Sequence, residues 1–426
     1  MTTLTDSYSS AGLLRLATAG SVDDGKSTLV GRLLHDSKLV LADQLEAVER
    51  ASRARGLVET DLALLTDGLR AEREQGITID VAYRYFATPN RRFILADTPG
   101  HVQYTRNMVT GASTAQLAVI LVDARHAVVE QTRRHAAIAA LLRVPHLVLA
   151  VNKMDLAGYD ETVFASIAAE FAAYTSRLGA PEATAIPISA LRGDNVVEPS
   201  VQMDWYAGPT FLEHLENVPA GVDPTDEPAR FPVQYVIRDN ASGYRGYAGQ
   251  LVSGLMRTGD EVVVLPSGLR SRIAGIDRDG MTVSEAFAPQ SVVLRLADNL
   301  DVSRGDLIAP ADDAPLPTQD LEATVCHLAD RPLRAGDRVL LRHTTRTVKA
   351  IVREISYRLD VVTLDASPHP DELRANDIAR VVLRTATPIA ADAYAENRYT
   401  GAFLLIDEAT GDTLTAGMNA PSTLVF

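Results

Sequence analysis

Gly20-Ser21-Val22-Asp23-Asp24-Gly25-Lys26-Ser27 is a G-x-x-x-x-G-K-S run set between the apolar residues Leu13 to Ala19 and the apolar stretch Thr28 to Leu34. An apolar run that reads as a strand, a glycine-rich turn and a helix start form the context in which backbone N–H groups cradle phosphates. The glycines let the chain curl so that successive N–H groups point inward, and the positive end of the helix dipole helps to hold a β-phosphate. Lys26 is placed to reach the β- and γ-phosphates, and the Ser27 hydroxyl to ligate Mg²⁺. Gly20 through Thr28 predict a nucleoside triphosphate site.

Asp97-Thr98-Pro99-Gly100 closes a second apolar run, where Asp97 would hold Mg²⁺ through water and the Gly100 N–H would sense the γ-phosphate. Asn152-Lys153-Met154-Asp155 closes a third, His146 to Val151. An ionised Asp155 can accept from guanine N1–H and the N2 amino group, neither of which adenine supplies. Lys153 can lie over the base plane, and Asn152 can tie the segment to the phosphate loop. A buried acceptor left unpaired is costly, so the predicted base is guanine. Ser189-Ala190-Leu191 completes the set, with backbone contacting the guanine carbonyl. Thr78, in Gly76-Ile77-Thr78-Ile79, is the candidate for a second Mg²⁺ hydroxyl on a segment that orders around the γ-phosphate and relaxes on hydrolysis. His101, directly after Gly100, can position or polarise the attacking water. The plain alternatives are a helix N-cap at Asp155, an exposed threonine opening a strand at Thr78 and a surface loop histidine at His101.

Such residues must converge, and the elements that would gather them are legible. Short apolar runs alternate with helical-period stretches in the first half of the chain, the signature of a mostly parallel sheet with helices on both faces. Candidate strands are Leu13 to Ala19, Ile79 to Phe86, Arg92 to Ala96, Leu117 to Val122, His146 to Val151 and Ala185 to Ile188. Four of them end at Gly20, Asp97, Asn152 and Ser189, and ligands of open α/β sheets bind beyond such carboxyl ends. Ile79, Val81, Tyr83 and Tyr85 alternate with polar or small residues, which suits an edge strand. The chain has 426 residues, 46% of them hydrophobic and 23% charged, which predicts a soluble protein of several domains. The net charge of −14 argues against broad adhesion to nucleic acid or anionic membrane. Cys326 is the one cysteine, so an intrachain disulfide is excluded, and nine scattered histidines do not support a zinc site. Without a long apolar span or a basic-then-apolar N-terminus, a cytoplasmic location is expected.

Val218 to Pro232, with four prolines, reads as a linker, and Ala309 to Thr318 as a second. After the first come period-two runs at Val233 to Arg238, Tyr247 to Ser253, Glu261 to Leu265, Arg270 to Ile276 and Ser291 to Ala297. After the second come Glu322 to Leu328, Arg338 to His343, Thr347 to Tyr357, Ile378 to Leu383 and Ala402 to Asp407. Each set predicts a small β-barrel. The expected domains are 1–218, a P-loop nucleotide domain, then barrels at 229–310 and 318–426.

The G-S-V-D-D-G-K-S-T, G-I-T-I, D-T-P-G-H and N-K-M-D motifs, followed by two barrels, resemble the translation-factor superclass of GTPases, of which elongation factor Tu is the familiar member. Within it, the block Asp67 to Phe86, with Gln103 to Met108, Gln131 to His135, Phe231 to Val236, Arg245 to Gly249, Val264 to Gly268 and Ser303 to Asp306, is similar to the large, GTPase subunit of bacterial sulfate adenylyltransferase. The resemblance implies GTP and Mg²⁺ at Gly20 to Thr28, a switch at Thr78, the hydrolytic water near Asp97 to His101 and guanine at Asn152 to Asp155. It also implies a monovalent cation beside Asp23. The partner implied is a smaller PP-loop-type subunit that binds ATP and sulfate and forms adenosine 5′-phosphosulfate and pyrophosphate, driven by GTP hydrolysis on this chain. No nucleic acid or membrane partner is implied. Some relatives fuse an adenylylsulfate kinase at the C-terminus, and the single G-x-x-x-x-G-K-S run leads us to expect none here. Val102 departs from relatives that carry an acidic residue after P-G-H. The rivals are a translation-factor-type GTPase carrying aminoacyl-tRNA, which generally has G-H-V-D-H-G-K at the phosphate loop, and a nucleotide-dependent scaffold without turnover.

Overall fold

The computed structural model describes residues 12–38, 40, 42–54, 60–65, 81–101, 105–219, 224–239, 241 and 243–420. In the first half six strands, β1 (Leu13–Ala19), β2 (Ala82–Ala87), β3 (Arg92–Asp97), β4 (Leu117–Asp123), β5 (His146–Asn152) and β6 (Ala183–Pro187), form one sheet in the order β2-β3-β1-β4-β5-β6. Every pair is parallel except β2 with β3. The sequence Leu-Ala-Val-Ile-Leu-Val-Asp of β4 is buried at all seven positions. A strand covered on both faces needs such an unbroken apolar run.

Alternation along β4 divides those side chains between two layers. Leu117, Val119 and Leu121 join a core with Leu29, Val30 and Leu33 of α1 (Lys26–Asp36), and with Phe211 and Leu215 of a helix near residue 214. Ala118, Ile120 and Val122 point to the opposite face. The helices α3 (Thr105–Ser113), α4 (Glu130–Leu141) and α5 (Glu161–Arg177) pack against the sheet, while α2 (Ala42–Ala54) packs against the turn Leu62–Leu65. The helix near residue 214 is α6 (Phe211–Asn217), opened by a capping box in which Thr210 accepts from the Glu213 N–H and Glu213 from the Thr210 N–H. The buried Arg91 guanidinium donates to the Leu215 carbonyl at 3.0 Å and so pins the open end of α6 to the β2–β3 turn.

Chain contacts divide the molecule into two units, one running to Gly221 and including Val361–Leu364, the other taking the rest. The second unit holds two closed antiparallel barrels. In the first, Glu261–Leu265, Leu307–Pro310, Phe231–Asp239, Tyr244–Gln250, Ser291–Leu296 and Leu269–Arg278 pair in turn and the last returns to the first. In the second, Arg338–His343, Ala402–Ile406, Thr413–Asn419, Thr318–His327, Ile378–Ile389 and Arg346–Leu359 close likewise. Closure removes the exposed edges that an open sheet would present.

The strands depart from the sequence reading in definite ways. Phe231 and Pro232, read as linker, begin a barrel strand in which Pro232 lies opposite Leu307; a proline is tolerated where it replaces no ladder donor. Ala309 and Pro310, assigned to the second linker, end another strand. Thr413–Asn419, with two threonines, a glycine and an asparagine, carries no strong strand signal of its own, yet it forms a strand paired on both sides. The edge position of β2 holds, but Tyr83 and Tyr85 are exposed at 45% and 75%, so its alternating face turns to solvent while Phe86 stacks on Phe93 in the core. Ile79 and Asp80 lie outside the described residues. Cys326 is buried in its strand, as its small apolar character suggests.

Candidate nucleotide site

The loop between β1 and α1 is shaped by two left-handed residues, Asp23 at φ 67° and Gly25 at φ 91°. A Cβ on Gly25 would collide with the Asn152 side-chain amide, so only glycine allows the approach that follows. Asn152, at the end of β5, donates from Nδ2 to the Asp24 carbonyl at 2.7 Å and accepts at Oδ1 from the Ala190 N–H at 2.9 Å. One buried amide thus joins the phosphate loop to the Ser189-Ala190-Leu191 segment. Ser189 in turn donates its hydroxyl to Asp155 Oδ1 at 2.7 Å. Lys153, at φ 65°, lays its ammonium on the Asp23 carbonyl and lies 3.0 Å from the Asp123 carboxylate.

Lys26 is buried, and its Nζ donates to the Gly20 and Ser21 carbonyls at 2.8 and 2.9 Å. Burial lowers its pKa, against Asp97, Asp24 and Asp23, which favour the ammonium. Ser27 and Thr28 occupy the first turn of α1, while Val22 and Asp23 are exposed at the loop's outer edge. Asp24 turns inward and accepts from the Ser21 N–H at 2.6 Å; burial pushes its carboxyl up, opposed by that N–H and by Lys26. Asp97 is buried at the end of β3 and accepts the Thr18 hydroxyl at 3.0 Å, and the Thr98 hydroxyl donates to the Thr18 carbonyl at 2.6 Å. Gly100 lies so close that a Cβ there would strike the Gly20 carbonyl and Lys26 Nζ. His101 is exposed next to it.

The structure therefore gathers Gly20 to Thr28, Asp97, Gly100, Asn152, Lys153, Asp155 and Ser189 to Leu191 at the carboxyl ends of β1, β3, β5 and β6. Thr78 lies outside the described residues, as do Val102 and Gln103. Two details depart from expectation: Asp155 is half-buried rather than buried, and the Ala190 N–H is taken by Asn152. Asp123 also lies at the site, outside the residues that the motifs point to. It ends β4, is 2% exposed and receives Arg125 at 2.7 Å as well as Lys153. Burial pushes its carboxyl up, but Arg125 and Lys153 outweigh that and hold it well below the ordinary range. The carboxyl-end rule applied to β4 would have found it. Ser27, with an alcohol, and Asp97, with a carboxylate, are hard oxygen donors of the kind Mg²⁺ takes, so the residues present fit that ion.

Residues 12–227 match the elongation factor Tu GTP-binding domain, and residues 320–419 match the GTP-eEF1A C-terminal domain-like family. The bifunctional enzyme CysN/CysC of Mycobacterium tuberculosis is 58% identical over 95% of this chain and 67% of its own length. Sulfate adenylyltransferase subunit 1 of Cellvibrio japonicus is 50% identical over 95% of this chain and 86% of its own, and that of Bacteroides fragilis is 50% identical over 95% and 85%. The fold and site are those of an elongation-factor-Tu-type GTP-binding protein. The chain belongs to the sulfate adenylyltransferase subunit 1 family. The aminoacyl-tRNA carrier reading is not favoured by these relatives. Among the described residues no helix is long and apolar enough to cross a membrane, and no group of three or more His, Cys, Asp and Glu side chains is arranged to hold a metal ion by itself.

Proposed function

We propose that this chain hydrolyses GTP to drive the formation of adenosine 5′-phosphosulfate and pyrophosphate from ATP and sulfate on a smaller PP-loop-type partner subunit. The observation that supports it most is the Asn152 amide, which fixes the phosphate loop and the guanine segment to each other through Asp24 and Ala190. A site held in that way binds base and phosphates as one ligand. Asp155 accepts from guanine N1–H and the N2 amino group, and Lys153 covers the base plane. Lys26 exchanges two neutral carbonyls for phosphate oxygens, and hydrogen bonds between charged partners are the stronger. The phosphates also restore the ammonium that burial disfavours in Lys26.

Ser27, Asp97 and Thr78 would hold Mg²⁺, which neutralises the charge developing on the phosphoryl group. The Gly100 N–H faces the γ-phosphate, and His101 orients the water that attacks phosphorus as the bond to the β–γ bridging oxygen breaks. A monovalent cation beside the exposed Asp23 carboxylate belongs to the same reading, the Asp23 carbonyl being already taken by Lys153. A cytoplasmic location and domains at 1–218, 229–310 and 318–426 belong to the same reading.

The test combines the chain with its partner, ATP and sulfate, and follows adenosine 5′-phosphosulfate. GTP should raise product well above the level reached with a β,γ-imido analogue, and Lys26→Ala should abolish both phosphate release and the gain. Equal product with and without hydrolysable GTP would overturn the coupling, and tight GTP-dependent retention of bulk tRNA would overturn the choice of partner.

A further inference from the structure

Arg32 lies on α1, the helix that carries the phosphate loop, yet its guanidinium serves a different loop. Nε donates to the Ala190 carbonyl at 3.1 Å, and Nη2 donates to the Leu191 carbonyl. Its side chain is 19% exposed and is steadied by Asp36 one turn on, whose carboxylate also takes His35 Nδ1 at 2.7 Å. The following turn is closed against the same pair: Gly193 has φ 89°, and a Cβ there would stand 3.1 Å from Asp36 Oδ2 and 3.5 Å from Arg32 Cδ.

The consequence follows from peptide geometry. In a trans peptide the C=O and the next residue's N–H point in opposite directions. Holding the Ala190 carbonyl toward α1 therefore turns the Leu191 N–H away from α1. The Ala190 N–H is already bound to Asn152, and the Arg192 N–H goes to Ser189 Oγ at 3.2 Å. Leu191 is left to supply the segment's contact with the base.

We propose that Arg32 is a positioning residue for guanine selection, which aims the Leu191 N–H at the 6-oxo group of the base. The proposal rests on the guanine reading given above. It draws on the planar fork of arginine, whose Nε and Nη2 reach the two carbonyls from one rigid plane, where a shorter lysine would offer a single freely rotating ammonium.

The full chain, loaded with a fluorescent GDP, is titrated with GTP, 6-thio-GTP and ITP. The thio analogue weakens only the acceptor at position 6, and ITP lacks only the 2-amino group that Asp155 reads. The native chain should prefer GTP to both. Arg32→Ala should bind GTP about tenfold more weakly, the worth of one well-placed hydrogen bond, with its preference over 6-thio-GTP collapsing and its preference over ITP retained. Arg32→Lys should fall between. If both preferences fall together in Arg32→Ala and in Arg32→Lys, or neither changes, the positioning role is overturned. If the native chain itself does not distinguish 6-thio-GTP from GTP, the contact with the guanine carbonyl is wrong and the proposal falls with it, while the ITP result still reports on Asp155.

Discussion

At the scale of single residues the site is organised by side chains that hold backbone. Asn152, Arg32 and Lys26 each bind main-chain carbonyls of the loops that form the site, while Asp155, proposed to read the base, keeps a half-exposed carboxylate. Replacing it by the amide should exchange one specificity for another. Asp155→Asn should bind GTP at least about tenfold more weakly and XTP more tightly, since its NH₂ can donate to the xanthine 2-carbonyl. Competition binding reads this directly, and unchanged GTP selectivity would remove Asp155 from the base site. A second residue sets an acid limit. His135 on α4 is fully buried beside Gln131, and burial, then the charges of Lys26 and Arg134, push its pKa down to about 3 from 6.5. Below 6.5 the unfolded chain binds the proton and the folded chain does not, so the stability this residue confers is whole above that pH. It is lost as pH falls toward 3, no faster than about 1.4 kcal/mol per pH unit. Thermal midpoints at pH 7, 6 and 5 should fall more gently in His135→Gln than in the native chain. Some slope should remain, because burial lowers His146 and His214 in the same unit too.

At the scale of elements, what was legible were the pieces whose chemistry and geometry coincide. The loop from Gly20 to Ser27 could be read because its glycines answer to backbone demands, and β4 because full burial on two faces leaves only apolar side chains. Thr413–Asn419 could not, since its place between two strands is fixed by pairing rather than by its own propensity. Nor could Arg32: its partners lie 158 and 159 residues away, and they are carbonyls, which every residue has. Gly100 belongs to both kinds. Its motif is local, but the reason for glycine is that β3 delivers it against the phosphate loop, where a methyl would strike Gly20 and Lys26. Gly100→Ala should therefore cut GTP affinity by about five- to a hundredfold, the roughly 1–3 kcal/mol that overpacking a tight contact costs. Because Gly20 and Lys26 crowd this position without nucleotide too, the melting midpoint of the nucleotide-free chain should fall as well. Unimpaired GTP binding by this variant would show that the loop yields more readily than its contacts imply.

At the scale of the whole molecule, the barrel unit has its own buried electrostatics. Arg230, ahead of the first barrel strand, forms a bidentate pair with Asp392 at 3.0 and 2.9 Å, and the two side chains are 4% and 7% exposed. The same guanidinium donates to the Asp313 carbonyl at 2.7 Å, and Thr400 donates its hydroxyl to Asp392, so the pair joins segments of both barrels. A buried pair of this kind adds little over an apolar replacement, but removing one partner strands the other charge. Arg230→Met should thus destabilise the barrel unit by about 3–5 kcal/mol, and adding Asp392→Leu should return most of it. The chain supplies the means to tell the units apart, because its one tryptophan, Trp205, lies in the nucleotide unit, with Nε1 on the Tyr159 carbonyl and its ring against Phe164. In urea, Arg230→Met should bring the far-ultraviolet circular dichroism of the barrels down at lower denaturant while the Trp205 fluorescence transition stays in place. If the tryptophan transition moved by the same amount, the two units would unfold as one, and the stranded Asp392 charge would be felt as far as the guanine site.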